Sequence, residues 1–203
     1  MDNISSYIDS GILEAYVLGI ATVEEASIVE KMLLTHPQIK NELEQIESSL
    51  EQYASKHAVE PHATMKPLLF ATIDYTERLK KGEAPSFPPL LNKNSKIADY
   101  AEWINRPDMV LPAESDEIFL KIIGYTPQAT TAIVWIKEMA PDEVHHDEFE
   151  SFLILEGTCD IIIGDKIHKL VPGDYLSIPL HTDHEVRVTS SAPCKVILER
   201  KAA

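Results

Sequence analysis

Side chains able to bind a metal are concentrated in one short segment of the sequence. Residues 142–150 read DEVHHDEFE, so that two adjacent histidines lie among carboxylates, and another histidine follows after a turn-rich stretch. Imidazole nitrogens and carboxylate oxygens together suit Zn, Fe, Mn or Ni, particularly where a coordination position stays open. The candidate metal ligands are Glu143, His145, His146, Glu150 and His184.

The residues around these candidates predict short β-strands. Seven segments rich in Ile, Val, Leu and Phe are separated by turn sequences such as Pro-Gly-Asp and Glu-Gly-Thr. Short strands at this spacing favour an antiparallel sandwich or a small barrel. The predicted strands cover residues 118–123, 132–139, 151–155, 160–163, 175–178, 185–189 and 195–199.

The first part of the chain has a helical period instead. Apolar residues recur at helical spacing between residues 7 and 20. Thr22 and Glu25 form the capping box of a second helix, which ends before Pro37. A third helix begins at Pro37 with a long apolar seam, and a fourth is expected over residues 64–81.

These patterns predict an α+β multidomain protein. A helical domain over residues 1–82 would be followed by a proline-rich linker over 83–98 and an all-β domain over 99–203. The chain has a net charge of -15, with 11 acidic and 3 basic side chains in residues 1–60. Nucleic-acid binding requires Lys and Arg to displace counterions, so direct contact with nucleic acid is not expected.

The β part resembles the cupin superfamily in both of its sequence motifs. The first motif runs H-x-H, three or four residues, Glu, six residues, Gly, and its second half matches Glu150 and Gly157. The second motif runs Gly, five residues, P-x-G, two residues, His, and it matches Gly173, Pro179 and His184. The resemblance implies a double-stranded β-helix, or jelly-roll, barrel with a divalent metal (Zn, or Fe, Mn or Ni) inside it.

The first cupin motif is incomplete in this sequence. With three residues before Glu150, His146 is the second histidine and Val144 takes the first position. With four residues, His145 is the second histidine and Glu143 takes the first position. The resemblance therefore implies three ligands, with Glu143 or the other histidine available as a fourth. The alternative is a cupin fold that has lost its metal and keeps a polar pocket.

The helical part is similar to the N-terminal domain of anti-sigma factors. The similarity lies in residues 11–19 (GILEAYVLG), residues 36–43 (HPQIKNEL) and the predicted fourth helix. Those domains are small helical bundles that wrap an extracytoplasmic-function sigma factor. In the zinc-containing branch the ligands follow H-x3-C-x2-C, and the corresponding positions here are Met32, His36 and Ile39. An N-terminal zinc site is therefore expected to be absent.

The two resemblances together imply an anti-sigma factor with a cupin sensor domain. The helical domain would sequester a sigma factor, and the cupin domain would respond to a metal or a small molecule. The acidic charge would steer such a protein toward a basic partner. The alternative is a cupin metalloenzyme, similar to a dioxygenase, that acts on a small organic substrate.

The remaining expectations concern location and assembly. The N-terminal residues have neither a basic patch nor an apolar core, and no apolar run is long enough for a bilayer. The two cysteines, Cys159 and Cys194, form no disulfide pattern, which fits a reducing cytoplasm. We therefore expect a cytoplasmic protein without membrane contact. Because cupin barrels often pair through edge strands, a homodimer is a further possibility.

Overall fold

Helices form the N-terminal part of the chain and strands the C-terminal part in a computed structural model that describes residues 3–203. The helices are α1 (Asn3–Ile8), α2 (Ile12–Val17), α3 (Val23–Thr35), α4 (Pro37–Lys56), α5 (Met65–Lys80) and, after a 3₁₀ turn at Ile97–Tyr100, α6 (Ala101–Ile104). The strands are β1 (Ile118–Thr126), β2 (Ala129–Ile136), β3 (Met139–Glu143), β4 (Glu148–Glu156), β5 (Cys159–Ile163), β6 (Lys166–Leu170), β7 (Tyr175–Ile178), β8 (His184–Val188) and β9 (Cys194–Ala202). Within residues 3–203 no helix combines the length and the apolar character needed to cross a membrane.

The strands form two antiparallel sheets that pack as a sandwich. The first sheet has the order β1-β2-β9-β4-β7, and the second has the order β3-β8-β5-β6. Apolar side chains from both sheets, such as Val134, Ile154 and Ile161, fill the interior between them. The predicted α+β class, with helices followed by a jelly-roll β domain, is confirmed. Strands β3 and β6 lie outside the predicted segments because their residues are too polar to give an apolar run.

Helices α1–α4 pack around a small apolar core of their own. Its buried members are Leu13, Val29, Ile39 and Leu43. The capping box at the start of α3 is confirmed, since the Thr22 hydroxyl accepts from the Glu25 amide and the Glu25 carboxylate accepts from the Thr22 amide. The single helix predicted between residues 7 and 20 is two helices, because Gly11 adopts a left-handed φ of 79°.

The division of the chain differs from the predicted boundary at residue 82. One compact unit is Met1–Glu60 and the other is Pro61–Ala203, so that α5 belongs with the strands. The reason is that α5 buries its apolar inner face, including Ala71 and Tyr75, against β1 residues such as Ile122. The opposite face of α5 exposes Met65, Leu69, Phe70 and Ile73.

Residues 83–98 are also not the free linker that three prolines predicted. Leu91 is buried, and its amide donates a 3.0 Å hydrogen bond to the carboxylate of Glu199. The Ser86 hydroxyl donates to the carbonyl oxygen of Ile123, and the Trp103 indole donates to Ser86. This segment is therefore held on the first sheet by hydrogen bonds as well as by apolar contacts.

We predict that Gly124→Ala destabilises the protein, because a β-carbon at this position would lie 2.3 Å from Cδ of Pro88. Overpacking of this kind costs about 1–3 kcal/mol, which urea denaturation can measure as a lower free energy of unfolding. The double variant Gly124→Ala/Pro88→Ala should recover most of the loss, because the obstructing ring is gone. Equal losses in the single and double variants would contradict the docking of residues 83–98.

Candidate metal centre

Strand register brings two carboxylates and an imidazole to one place between the sheets. In the second sheet, Glu143 at the end of β3 is paired with His184 at the start of β8. In the first sheet, Glu150 on β4 is paired with Arg200 on β9. The two pairs face each other across the sandwich, so the position of each charged group follows directly from the pairing of its strand.

The side chains in this cluster are within direct reach of one another. Nε2 of His184 lies 2.9 Å from Oε2 of Glu150. The guanidinium of Arg200 bridges the two carboxylates, with Nε 2.9 Å from Oε1 of Glu150 and Nη2 2.8 Å from Oε2 of Glu143. The loop after β3 adds His145, whose Nε2 lies 3.5 Å from Oε2 of Glu143 and 3.5 Å from Oε2 of Glu150.

Glu150 is the most deeply buried carboxylate in this cluster, with only 2% of its side chain exposed. Burial by itself would raise its pKa, but the imidazoles of His145 and His184 and the charge of Arg200 outweigh that effect and hold the pKa well below its usual range. Glu150 is therefore ionised at neutral pH. Burial would likewise lower the pKa of His184, and contact with Glu150 reverses this so that the pKa is raised.

The donor atoms of this cluster fit a divalent metal. One donor atom from each of Glu143, His145, Glu150 and His184 can be chosen so that all four lie within 4.8 Å of one another. Nε2 of His145 is buried, and among the residues that the structure describes it has no hydrogen-bond partner. A buried polar nitrogen without a partner is costly, and a metal ion would satisfy it. Two imidazoles and two carboxylates are also the ligand types that Zn, Fe, Mn and Ni accept.

A small cavity with apolar walls adjoins the cluster. Its volume is about 80 Å³, and Glu143, Glu150, His184 and Arg200 form its polar end. Most of the remaining wall is apolar and comes from both sheets and from α5: Leu68, Ile118, Leu120, Ala132, Val134, Ile136, Phe152, Val186 and Leu198. The shape and chemistry suit a small apolar molecule that presents one polar group to the cluster.

Four of the five ligands proposed from the sequence come together here, and His146 does not. Adjacent side chains of an extended backbone point to opposite sides, so His145 and His146 cannot both face inward. Glu143 and His145, two residues apart, share the inner side. His146 is exposed, and its Nδ1 lies 2.9 Å from Nδ1 of His181. The structure thus agrees with the motif alignment that has four residues between the second ligand and Glu150.

His181 occupies the position where the second cupin motif has a glycine, and its φ of 57° is left-handed. This conformation is uncommon for residues other than glycine. The His181 amide donates a 2.8 Å hydrogen bond to the carbonyl oxygen of His145, which fixes the loop that carries this candidate ligand.

Sequence reasoning missed two polar residues of the site, Arg200 and Thr64. Arg200 did have a signal, because it continues the inward-facing alternation of Val196 and Leu198 at a spacing of two. Thr64 had none. Its hydroxyl contacts Glu143, which is 79 residues away in the sequence.

The geometry defines a cupin-type β-sandwich with an internal cluster of histidines and glutamates. Residues 131–198 match the family model described as the cupin domain. The C-terminal part of the chain thus carries a cupin domain, and the four clustered candidate ligands all lie inside the matched range. Arg200 and the whole of α5 lie outside it. Among curated proteins, no significant match to the sequence was found.

Solved structures similar to this chain are cupins of low sequence identity. The cupin domain of Schizosaccharomyces pombe Cnp3 is 11% identical over 44% of this chain and 67% of its own, with a TM-score of 0.41. A cupin superfamily protein from Desulfitobacterium hafniense is 16% identical over 59% of this chain and 100% of its own, with a TM-score of 0.42. A Thermotoga maritima protein described as a predicted oxalate decarboxylase is 16% identical over 44% and 84%, with a TM-score of 0.41. Likenesses of this strength do not identify an activity.

We predict that Arg200→Met strongly destabilises the protein when no metal is present. The change leaves Glu150 buried without its guanidinium partner, and breaking a buried ion pair from one side costs about 3–5 kcal/mol. Urea denaturation in the presence of a chelator would measure the loss. Arg187→Met is a suitable control, because Arg187 lies on β8 with its side chain 62% exposed. The control should change stability by less than about 0.5 kcal/mol. Similar losses in both variants would contradict the role given to Arg200.

Proposed function

We propose that the cupin domain binds one divalent metal ion through Glu143, His145, Glu150 and His184. The observation that carries the proposal is the buried Nε2 of His145, which has no hydrogen-bond partner among the described residues and lies next to both carboxylates. When bound, the ion would supply a Lewis-acidic position at the polar end of the cavity. Arg200 would keep the two carboxylates apart and correctly oriented.

We further propose that this pocket serves as a sensor within a regulatory protein. Its wall is mostly apolar and about 80 Å³ is open inside it, which suits recognition of a small molecule beside the metal. The competing function is a cupin metalloenzyme similar to a dioxygenase. Steady oxygen consumption by the iron-loaded protein with a small organic substrate would favour the enzyme over the sensor.

For the helical unit we propose the binding of a sigma factor, as the anti-sigma resemblance implies. Support comes from large apolar side chains that the unit leaves in solvent, among them Leu18, Ile20, Val23 and Leu34. The excess of acidic side chains in residues 1–60 would attract a basic partner surface. A sigma factor acts in the cytoplasm, so the proposal also implies a cytoplasmic location. Self-association through the same apolar residues is the competing outcome.

The metal proposal predicts different effects for two adjacent histidines. His145→Ala should abolish binding of one Zn²⁺ per chain, because it removes a buried ligand nitrogen. His146→Ala should leave the affinity unchanged, because its imidazole lies outside the cluster. Isothermal titration calorimetry of the chelator-treated protein measures both. Equal affinities in the two variants, or a wild-type protein that binds no metal, would overturn the proposal.

The partner proposal predicts co-purification of the full-length chain with an extracytoplasmic-function sigma factor from its own genome. The double variant Val23→Glu/Leu34→Glu should lose the complex while remaining folded, because both side chains are largely exposed. Val171→Glu, an equally drastic change at an exposed position of the cupin domain, should retain it. Failure of every such sigma factor to co-purify, or a homodimer that only the double variant disrupts, would contradict this assignment.

A further inference from the structure

The beginning of α5 forms part of the wall around the metal cluster. Thr64, the residue before α5, and Leu68 in its first turns both line the cavity. Both residues lie more than sixty positions before the family match at residues 131–198. The general cupin pattern therefore says nothing about them.

Two side chains attach this part of the chain to the end of β3. The Thr64 hydroxyl donates a short hydrogen bond to Oε1 of Glu143. Nε2 of His62 lies 2.8 Å from the carbonyl oxygen of Asp142, so the imidazole is the donor in that bond. His62 also supports Thr64 directly, with Nδ1 2.9 Å from the threonine Oγ1.

The carboxylate of Glu143 consequently faces two ways. Oε2 lies toward the cluster, within reach of Arg200 and His145, whereas Oε1 accepts the hydroxyl of Thr64. Glu143 is the last residue of a short strand whose pairing with β8 is irregular between Ala140 and Glu143. Its backbone alone therefore orients it less firmly than the central strands orient Glu150, and the contact with Thr64 supplies the missing constraint.

We propose that Thr64, supported by His62, is a positioning residue for Glu143, so that metal binding and the docking of the first turn of α5 stabilise each other. The inference rests on the proposed metal site. An ion that holds Oε2 would fix the carboxylate with Oε1 directed at Thr64. By thermodynamic linkage, the hydroxyl that orients Glu143 must raise the metal affinity by the same factor as the metal stabilises the docked turn.

The position of α5 gives this coupling a route to the rest of the molecule. The helix begins a few residues after Glu60, where the helical unit ends, and its outer face exposes Met65, Leu69 and Phe70. Metal binding inside the cupin domain would thus change the order of a segment that is directly joined to the helical unit and is itself available to a partner.

The affinity test compares variants of the full-length protein at a single hydroxyl. Thr64→Val, which keeps the shape and removes the hydroxyl, should weaken Zn²⁺ binding by about tenfold, as is typical when a group that orients a metal ligand is lost. Thr64→Ser should restore the affinity to within about twofold, because it returns the hydroxyl. Lys66→Met is the control, because it removes an exposed ion pair of α5 with Asp116 and should leave the affinity unchanged.

The decisive readout is amide hydrogen exchange of residues 61–72 with and without Zn²⁺, followed by mass spectrometry. In the wild-type protein Zn²⁺ should slow exchange in this segment several-fold, and in Thr64→Val it should not. If Zn²⁺ binds but leaves the wild-type exchange of residues 61–72 unchanged, the inference fails and the metal site stands. If no Zn²⁺ binds, both fail. The wild-type comparison decides the question even if Thr64→Val does not fold.

Discussion

A buried negative charge, that of Glu150, constrains the whole cupin domain. A carboxylate with 2% of its side chain exposed can remain ionised only if positive or donating groups surround it. Arg200 supplies a full charge from the neighbouring strand, and His184 supplies an imidazole from the opposite sheet. A shift by one residue in either strand pair would turn these partners away, so the charge and the register of both sheets depend on each other.

The sequence predicted most of the fold but only part of the site, for identifiable reasons. The strand and helix periods come from burial, which the order of apolar residues records directly. The spacing of Glu150, Gly157, Gly173 and His184 likewise located the centre. The choice between His145 and His146 depended on which residue of an irregular loop faces inward. Local sequence does not determine this.

The errors in domain organisation have a different origin. The apolar positions of α5 predict a helix with one buried face, but they do not say what buries it. The sheet does so, through β1, and α5 therefore belongs to the cupin domain. Likewise, the prolines of residues 83–98 predict an irregular chain, whereas the buried Leu91 and its bond to Glu199 hold that chain in place. Contacts over such sequence distances leave no local pattern.

The measurement that tests the central claim most directly is X-ray absorption spectroscopy at the zinc edge of the Zn²⁺-loaded full-length protein. The account predicts a first shell of nitrogen and oxygen atoms only, with the outer-shell scattering of two imidazole rings, and loss of one ring in His145→Ala but not in His146→Ala. A shell containing sulfur from Cys159 or Cys194, or one of water oxygens without imidazole, would contradict a metal centre built on Glu143, His145, Glu150 and His184.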